Sequence, residues 1–289
     1  MSSLDSSLTS PTPIDRNSAR LPWGKWGLRC TAVLYLGFMV ALPLAAIIQN
    51  GFADGLSAFS MDVMNPTAFA ALKLTLMTAV IVTIANAIMG TLTAYALVRF
   101  RFVGQGLLNA VIDMPFAIPT LVTGVMLVAL YGPQRTLGAW LISHGIQVIF
   151  ATPGIVLALL VITYPFVIRT VQPVLLEAEQ GQEEAAYTLG ASSWTTFRRV
   201  VLPAIAPAIA TGSLLSFARA LGEFGSIVVV AGNIPGRTLT APVFVYGQIE
   251  SQNQRGASAM SILLLALSFT LILTVEWLQT RNRTNHVSQ

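Results

Sequence analysis

Six apolar stretches constrain this chain more than any other feature; they lie at about 27–48, 72–98, 107–131, 153–172, 205–231 and 258–278. About 20 apolar residues cross a bilayer as a helix, and lipid offers no partner to a backbone N–H or C=O, so each segment must satisfy its own. Strand-type alternation is absent from all six, which leaves helices. The expectation is an all-α membrane protein with six transmembrane helices.

Composition supports lipid as the solvent. Of the 289 residues 54% are hydrophobic and only 10% are charged, where a soluble domain carries about 25% charged residues. The sequence pI is near 9.6, but the net charge is only +4 and the basic residues are scattered, which argues against nucleic acid as a partner. The single cysteine, Cys30, has no internal disulfide partner. His144 and His286 stand far apart with no cluster around them, so no metal site is expected.

Residues 1–26 are rich in Ser, Thr, Pro and Arg and read as a flexible cytoplasmic tail. The stretch at 27–48 is longer than a signal-peptide core and no small-x-small cleavage site follows it, so it reads as a retained first transmembrane helix. Residues 279–289 read as a cytoplasmic C-terminal tail. Orientation follows the placement of Lys and Arg. One set of segments holds Arg16, Arg20, Lys25, Arg29, Arg99, Arg101, Arg169, Arg198, Arg199, Arg281 and Arg283, eleven in all; the other holds only Lys73, Arg135, Arg237 and Arg255. This bias places both termini in the cytoplasm, with the chain multi-pass in the cytoplasmic (inner) membrane.

Prolines interrupt the spans: Pro115 and Pro119 in the third, Pro165 in the fourth. Each removes a backbone donor and frees polar groups at membrane depth, where Thr120, Thr123 and Thr163 stand near enough to compensate. Such breaks fit a transport path or a kink made for packing. In the fifth span Ala204, Ala208, Gly212, Ser216 and Ala220 recur every fourth residue. A small-residue stripe lets two helix backbones approach closely in lipid, either within the chain or against a second subunit. Three ionisable residues are candidates for a mid-membrane position, Asp113, Arg219 and Glu223. Arg219 and Glu223 lie four apart and can neutralise one another, which leaves little for an ion-coupled carrier acting alone.

The chain has no phosphate loop, no His-Glu-x-x-His and no Gly-x-Ser-x-Gly elbow. It therefore offers no catalytic residue, calls for no cofactor, and must draw any energy for uphill transport from a gradient or another subunit. Between the fourth and fifth spans lies a polar segment, 177–203, that reads as two short helices. The first, about 178–189, has acidic residues near its start, which suits the helix dipole, and Gly190 is placed to cap its end. Ser192 or Ser193 caps the second, and Arg198 and Arg199 lie in its last turn. Such a helix-turn-helix is a docking surface.

The segment resembles the coupling-loop signature of binding-protein-dependent importers of the ATP-binding-cassette class, Glu-Ala-Ala, three residues, Gly, nine residues, Ile or Val, one residue, Leu-Pro. Here these positions are Glu184, Ala185, Ala186, Gly190, Val200, Leu202 and Pro203, with Ala191 and Ser192 in the turn. Asp113-Met-Pro-Phe-Ala-Ile-Pro-Thr120, Pro165-Phe-Val-Ile-Arg-Thr-Val-Gln-Pro173, Phe217-Ala-Arg-Ala-Leu-Gly-Glu-Phe-Gly225 and Ala231-Gly-Asn-Ile-Pro-Gly236 are similar to the sulfate/thiosulfate permease family, in particular its T-subunit branch. The Ala-Leu-Gly-Glu-Phe-Gly block is shared with molybdate permeases and does not by itself assign cargo.

The resemblance implies a type I ABC importer permease fold with a five-helix core over 72–278 and an extra first helix. It also implies separate ATPase subunits docked on 177–203, a homologous permease subunit, an extracytoplasmic sulfate-binding protein, and sulfate or thiosulfate as cargo. Thr120, Thr123, Ser213, Ser216, Arg219 and Glu223 are the candidates for the translocation path, with helix-end N–H groups beside them. A molybdate or tungstate permease is the nearest alternative; a lone ion-coupled carrier and a non-transporting anchor have no use for an ATPase dock. The charge bias generates a direct test of topology. Cysteines introduced near positions 10 and 285 are expected to resist a membrane-impermeant label in intact cells, and ready labelling of either overturns the six-span orientation.

Overall fold

The computed structural model describes the backbone of residues 23–177 and 180–287, and side chains within 26–177 and 181–274. The expected tail over 1–22, with Arg16 and Arg20, lies outside the described residues, as do Ala178 and Glu179 and the side chains of Lys25, Arg281, Arg283 and His286. The chain divides into two units, up to Ala46 and from Ile47 onward. The first is most of helix α1 (Trp23–Gly51), whose exposed Leu34, Phe38 and Leu42 require an apolar surrounding.

In the second unit the helices are α2 (Gly55–Val63), α3 (Pro66–Arg99), α4 (Gln105–Ala117), α5 (Thr120–Tyr131), α6 (Thr136–Ser143), α7 (Thr152–Glu177), α8 (Gln180–Thr188) and α9 (Ser193–Thr196). A π turn (Phe197–Val201) follows, then α10 (Leu202–Leu221), α11 (Gly225–Val230), α12 (Ala241–Glu250) and α13 (Gln254–Val287). No strand occurs among the described residues.

The directions of the helices follow from which ends share a core. At the end nearest α8, Ala94 and Leu97 of α3 pack with Val167, Val171 and Leu175 of α7 and with Val201 and Ile205 leading into α10. Toward the far end, Ala79 and Val82 of α3 pack with Ile155 and Leu159 of α7 and with Ala220 and Leu221 of α10. Thus α3 and α7 run parallel and α10 runs against them. Helix α13 starts beside the start of α3, where Met260 meets Ala68 and Ala71, so it too runs with α3.

Two parallel helices need one return crossing between them, and α4 with α5 supplies it in two pieces bent by 115°. Ile112 of α4 lies in the core nearest α8, while Leu127 of α5 lies in a far-end core with Ile149, Ala158 and Val230. The break has a local cause. A residue before proline is pushed out of the helical region, and Ile118, preceding Pro119, is extended at φ −87°, ψ 127°. The broken third span is therefore as its prolines require. Pro165 acts otherwise: α7 runs through it and through Pro173 as one helix, because close packing on both flanks holds the backbone in place.

That packing is closest around Val167. A Cβ on Gly90 of α3 would lie 2.9 Å from Val167 Cβ, and one on Gly212 of α10 would lie 2.8 Å from Val167 Cα and 2.2 Å from Thr170 Oγ1. The stripe of small residues in α10 is thus an internal seam; Ala208, Gly212, Ser216 and Ala220 are buried and only Ala204 is exposed. One buried polar cluster crosses it. Asn86 Nδ2 of α3 donates to Thr163 Oγ1 of α7 at 2.7 Å and to Ser216 Oγ of α10 at 3.3 Å.

Three boundaries differ from the sequence reading. The fifth span does not run to 231; it ends at Leu221, and the short α11 follows a non-helical Gly222–Phe224. The second loop helix is not separate, since Ser193–Leu221 is continuous through the π turn. Its cause is Pro203, which has no N–H for the carbonyl four residues back; the turn widens and Leu202 N–H bonds Phe197 O, five back. The last helix also passes 278, continuing to Val287.

Candidate functional site

The loop between α7 and α10 packs Phe197 and Val201 on the bundle and leaves two large apolar residues in the open. Leu189 is 88% exposed and Trp194 68% exposed. Exposed apolar side chains of this size are available for contact with a partner. Glu184 and Ala185 are exposed on α8, while Ala186 is half-buried.

Gly190 makes the turn between the two limbs. Its φ is +83°, a left-handed conformation that glycine adopts without steric cost. Gly190 N–H donates to Tyr187 O at 2.9 Å and Ala191 N–H donates to Ala186 O at 3.0 Å. This pair of bonds is the Schellman arrangement, which satisfies the last carbonyls of α8 and reverses the chain. The spacing from Ala186 to Gly190 and Ala191 is thereby explained by hydrogen bonding. Ser192 begins α9, its Oγ accepting from Thr195 N–H at 3.3 Å, and Trp194 stacks on Phe197 with centroids 5.9 Å apart. Leu202 is half-buried and Pro203 exposed where the loop enters α10.

The loop is fastened to the bundle by two residues that sequence reasoning did not assign to it. Arg99, ending α3, donates to Glu183 of α8, and Tyr95 of α3 meets Phe197 edge-on at 5.2 Å. Arg169 of α7 fastens α4 in the same region. Its Nε and Nη2 donate to the two oxygens of Asp113, each at 2.7 Å, and Nη1 reaches Asn109 and Gln172. A two-point guanidinium–carboxylate contact of this kind fixes orientation as well as charge.

Deeper in the bundle the two helix breaks meet. A Cβ on Gly124 of α5 would lie 2.7 Å from Ser226 O of α11, and one on Gly225 would lie 2.4 Å from Thr120 Oγ1. Thr120 lies here beside Gly225, and Glu223 is bonded both to Ser226 of α11 and to Arg219 of α10; Thr123, next to Gly124, is buried. Ser213 and Ser216 lie farther along α10 toward the loop; Ser216 is fully buried under Asn86 and faces no open channel in this conformation. Glu223 is 1% exposed. Its Oε2 accepts from Arg219 Nη1 at 2.7 Å, and its Oε1 accepts from Ser226 N–H at 2.8 Å and from Ser226 Oγ at 2.9 Å. Burial of a carboxylate is tolerable only when its lone pairs are met in this way. The carboxylate thus already occupies the start of α11, one of the helix ends expected to serve an anion.

Each of the three mid-membrane candidates thus has a charged partner: Asp113 with Arg169, and Arg219 with Glu223. A bundle with interrupted spans and an exposed loop is the architecture of a permease subunit, and the relatives that the chain matches are named as transport permeases, which makes it a transport component and not an enzyme. The chain belongs to the family of inner membrane components of binding-protein-dependent transport systems, whose family model matches residues 86–284.

It is 42% identical over 264 residues to a probable sulfate transport system permease protein of Nephroselmis olivacea, covering 91% of this chain and 92% of that one. It is 39% identical over 251 residues to the sulfate transport system permease protein of Escherichia coli (87% and 91% covered), and 38% identical over 266 residues to that of Synechocystis (92% and 91%). Among solved structures it is similar to a bacterial ABC transporter that imports alginate, with a TM-score of 0.76 at 16% identity, covering 90% of this chain and 96% of that chain. The fold is that of a type I ABC importer permease.

The turn at Gly190 generates a prediction. A residue with a Cβ in the left-handed region costs about 1 kcal/mol or more, and no neighbouring atom stands within 4 Å to resist the substitution sterically. Gly190→Val is therefore expected to distort the loop while the spans insert normally, and Glu184→Lys to remove a charge from its exposed face. Either change should lower co-purification of the ATPase subunits, or uncouple their hydrolysis from uptake, at unchanged membrane levels. Wild-type coupling in both variants contradicts the assignment.

Proposed function

We propose that this chain is one of two pore-forming subunits of an ATP-driven importer of sulfate and thiosulfate. Its partner in the pore is a homologous permease subunit, its motors are two ABC ATPase subunits, and its cargo arrives on an extracytoplasmic sulfate-binding protein. The observation that carries the cargo is the likeness, at 38–42% identity over about nine tenths of the chain, to proteins named as sulfate permeases. The observation that carries the energy source is the loop: Glu184, Ala185, Ala186, Gly190, Ala191, Ser192, Leu202 and Pro203 make a capped, outward-facing turn that suits an ATPase dock.

On this reading the loop end of the bundle faces the cytoplasm and both termini lie there, in the inner membrane. The ATPases close on ATP, the loop moves with them, and the helices rock between two arrangements as rigid bodies. A dianion in transit needs donors that release it again. Thr120, Thr123, Ser213 and Ser216 offer hydroxyls, and Arg219, 33% exposed while Glu223 is buried, offers the guanidinium edge that the pair leaves free. The interlocked breaks of α5 and α11 are the natural place for the path to open and close, since non-helical backbone at membrane depth persists where it lines a cavity or packs in protein.

Cargo is tested by uptake in a strain that lacks the native permease genes. Expression of this chain with its partner subunits is expected to restore sulfate and thiosulfate uptake, each competing with the other, with equimolar molybdate without effect. Accumulation of molybdate in place of sulfate contradicts the assignment and favours a molybdate permease.

A further inference from the structure

We infer that Arg99 and Glu183 form a latch that delivers movement of the loop helix α8 to α3, which makes them positioning residues for energy coupling. The inference rests on the reading of the loop as the ATPase dock. Arg99 Nε donates to Glu183 Oε1 at 3.0 Å and Nη2 donates to the same oxygen at 2.5 Å, with the two side chains only 11% and 12% exposed. Exposed ion pairs contribute little, but a pair shielded from water holds its geometry, and removal of one partner strands the other charge.

What surrounds the pair gives it a mechanical role. Helix α8 has nine residues and is exposed at most positions; its other principal contacts are to α9 and the π turn of its own loop. The latch ties it to a span that is not its neighbour in sequence. One turn before Arg99, Tyr95 meets Phe197 of the π turn edge-on, so both limbs of the loop bear on the end of α3. Helix α3 in turn has 34 residues with its only proline, Pro66, in the first turn, a rod of about 50 Å at 1.5 Å per residue. The other helices joined to the loop carry internal prolines: α7 holds Pro165 and Pro173, and α10 holds Pro207 and stops before Gly222.

At its far end α3 is bonded again. Buried Thr75 Oγ1 accepts from Ala241 N–H, at the start of α12, at 2.8 Å. A displacement at Glu183 therefore reaches α12, across the bundle, through one unbroken helix and two polar contacts, the first half-buried and the second buried. Close-packed interiors yield little under such a load.

The test uses the complete complex of both permease subunits, the ATPases and the binding protein, reconstituted in liposomes with labelled sulfate. Glu183→Gln, nearly isosteric, and Arg99→Gln are expected to leave ATPase co-purification and ATP hydrolysis near wild type. Uptake per ATP hydrolysed should fall at least about tenfold, because the latch acts on coupling. Arg99→Lys, which keeps the charge, should recover part of that ratio. Unchanged uptake per ATP in Glu183→Gln overturns the latch, as does a parallel fall in uptake and hydrolysis. Failure of the ATPases to bind the wild-type subunit refutes the docking reading instead, and a coupled wild-type complex that ignores sulfate refutes only the cargo.

Discussion

The bundle depends on one close approach, that of α3 and α10 to α7 around Val167. Within lipid, apolar helices gain nothing by leaving their solvent, so association rests on van der Waals contact and a few interhelical hydrogen bonds. Gly90 and Gly212 supply the room on either side of Val167, and Asn86 joins Thr163 and Ser216 across the same seam. Because α7 is gripped on both flanks, it stays helical through Pro165 and Pro173. Helix α10 shares this seam at Gly212 and ends only beyond it, before Gly222, while α4 gives way to α5 at Ile118 and Pro119.

Charge is managed with equal economy. Asp113 is taken by Arg169, Glu223 by Arg219 and Ser226, and Glu183 by Arg99. A proton-coupled carrier needs an intramembrane carboxylate that exchanges its proton during the cycle, whereas these are held by arginines in the conformation seen. The interior therefore suits a subunit that is moved from outside. The loop between α7 and α10 leaves the apolar side chains of Leu189 and Trp194 in the open, which suits the place to push that we propose.

Much of this was readable from residues alone. The spans followed from length and hydropathy, the bend from Pro119, though α4 runs through Pro115 unbroken, and the turn from Gly190 preceding Ser192. The Arg219–Glu223 pair followed from its four-residue spacing. The remainder depended on distances between segments that sequence does not carry. Nothing local marks Asn86 as the hub of a seam, although a lone amide in an apolar span is a hint that it bonds across helices. Glu183 and Glu184 are adjacent and alike in sequence, yet one is half-buried against Arg99 while the other is exposed; only the phase of α8 against the end of α3 separates them. The termination at Leu221 was missed because the apolar composition continues through α11, and hydropathy does not register a break whose polar groups are met by Glu223. The π turn was missed for a similar reason, since Pro203 suggests a helix start when the chain instead widens its turn and continues.

The central claim is that the chain conducts only when other subunits drive it through the loop at 177–203. Liposomes containing the two permease subunits and the ATPases, supplied with binding protein and labelled sulfate outside, test it most directly. Uptake is expected only with ATP on the loop side, and neither a proton nor a sodium gradient should replace it. Sulfate accumulation driven by either gradient, in liposomes that lack the ATPase subunits, contradicts the account.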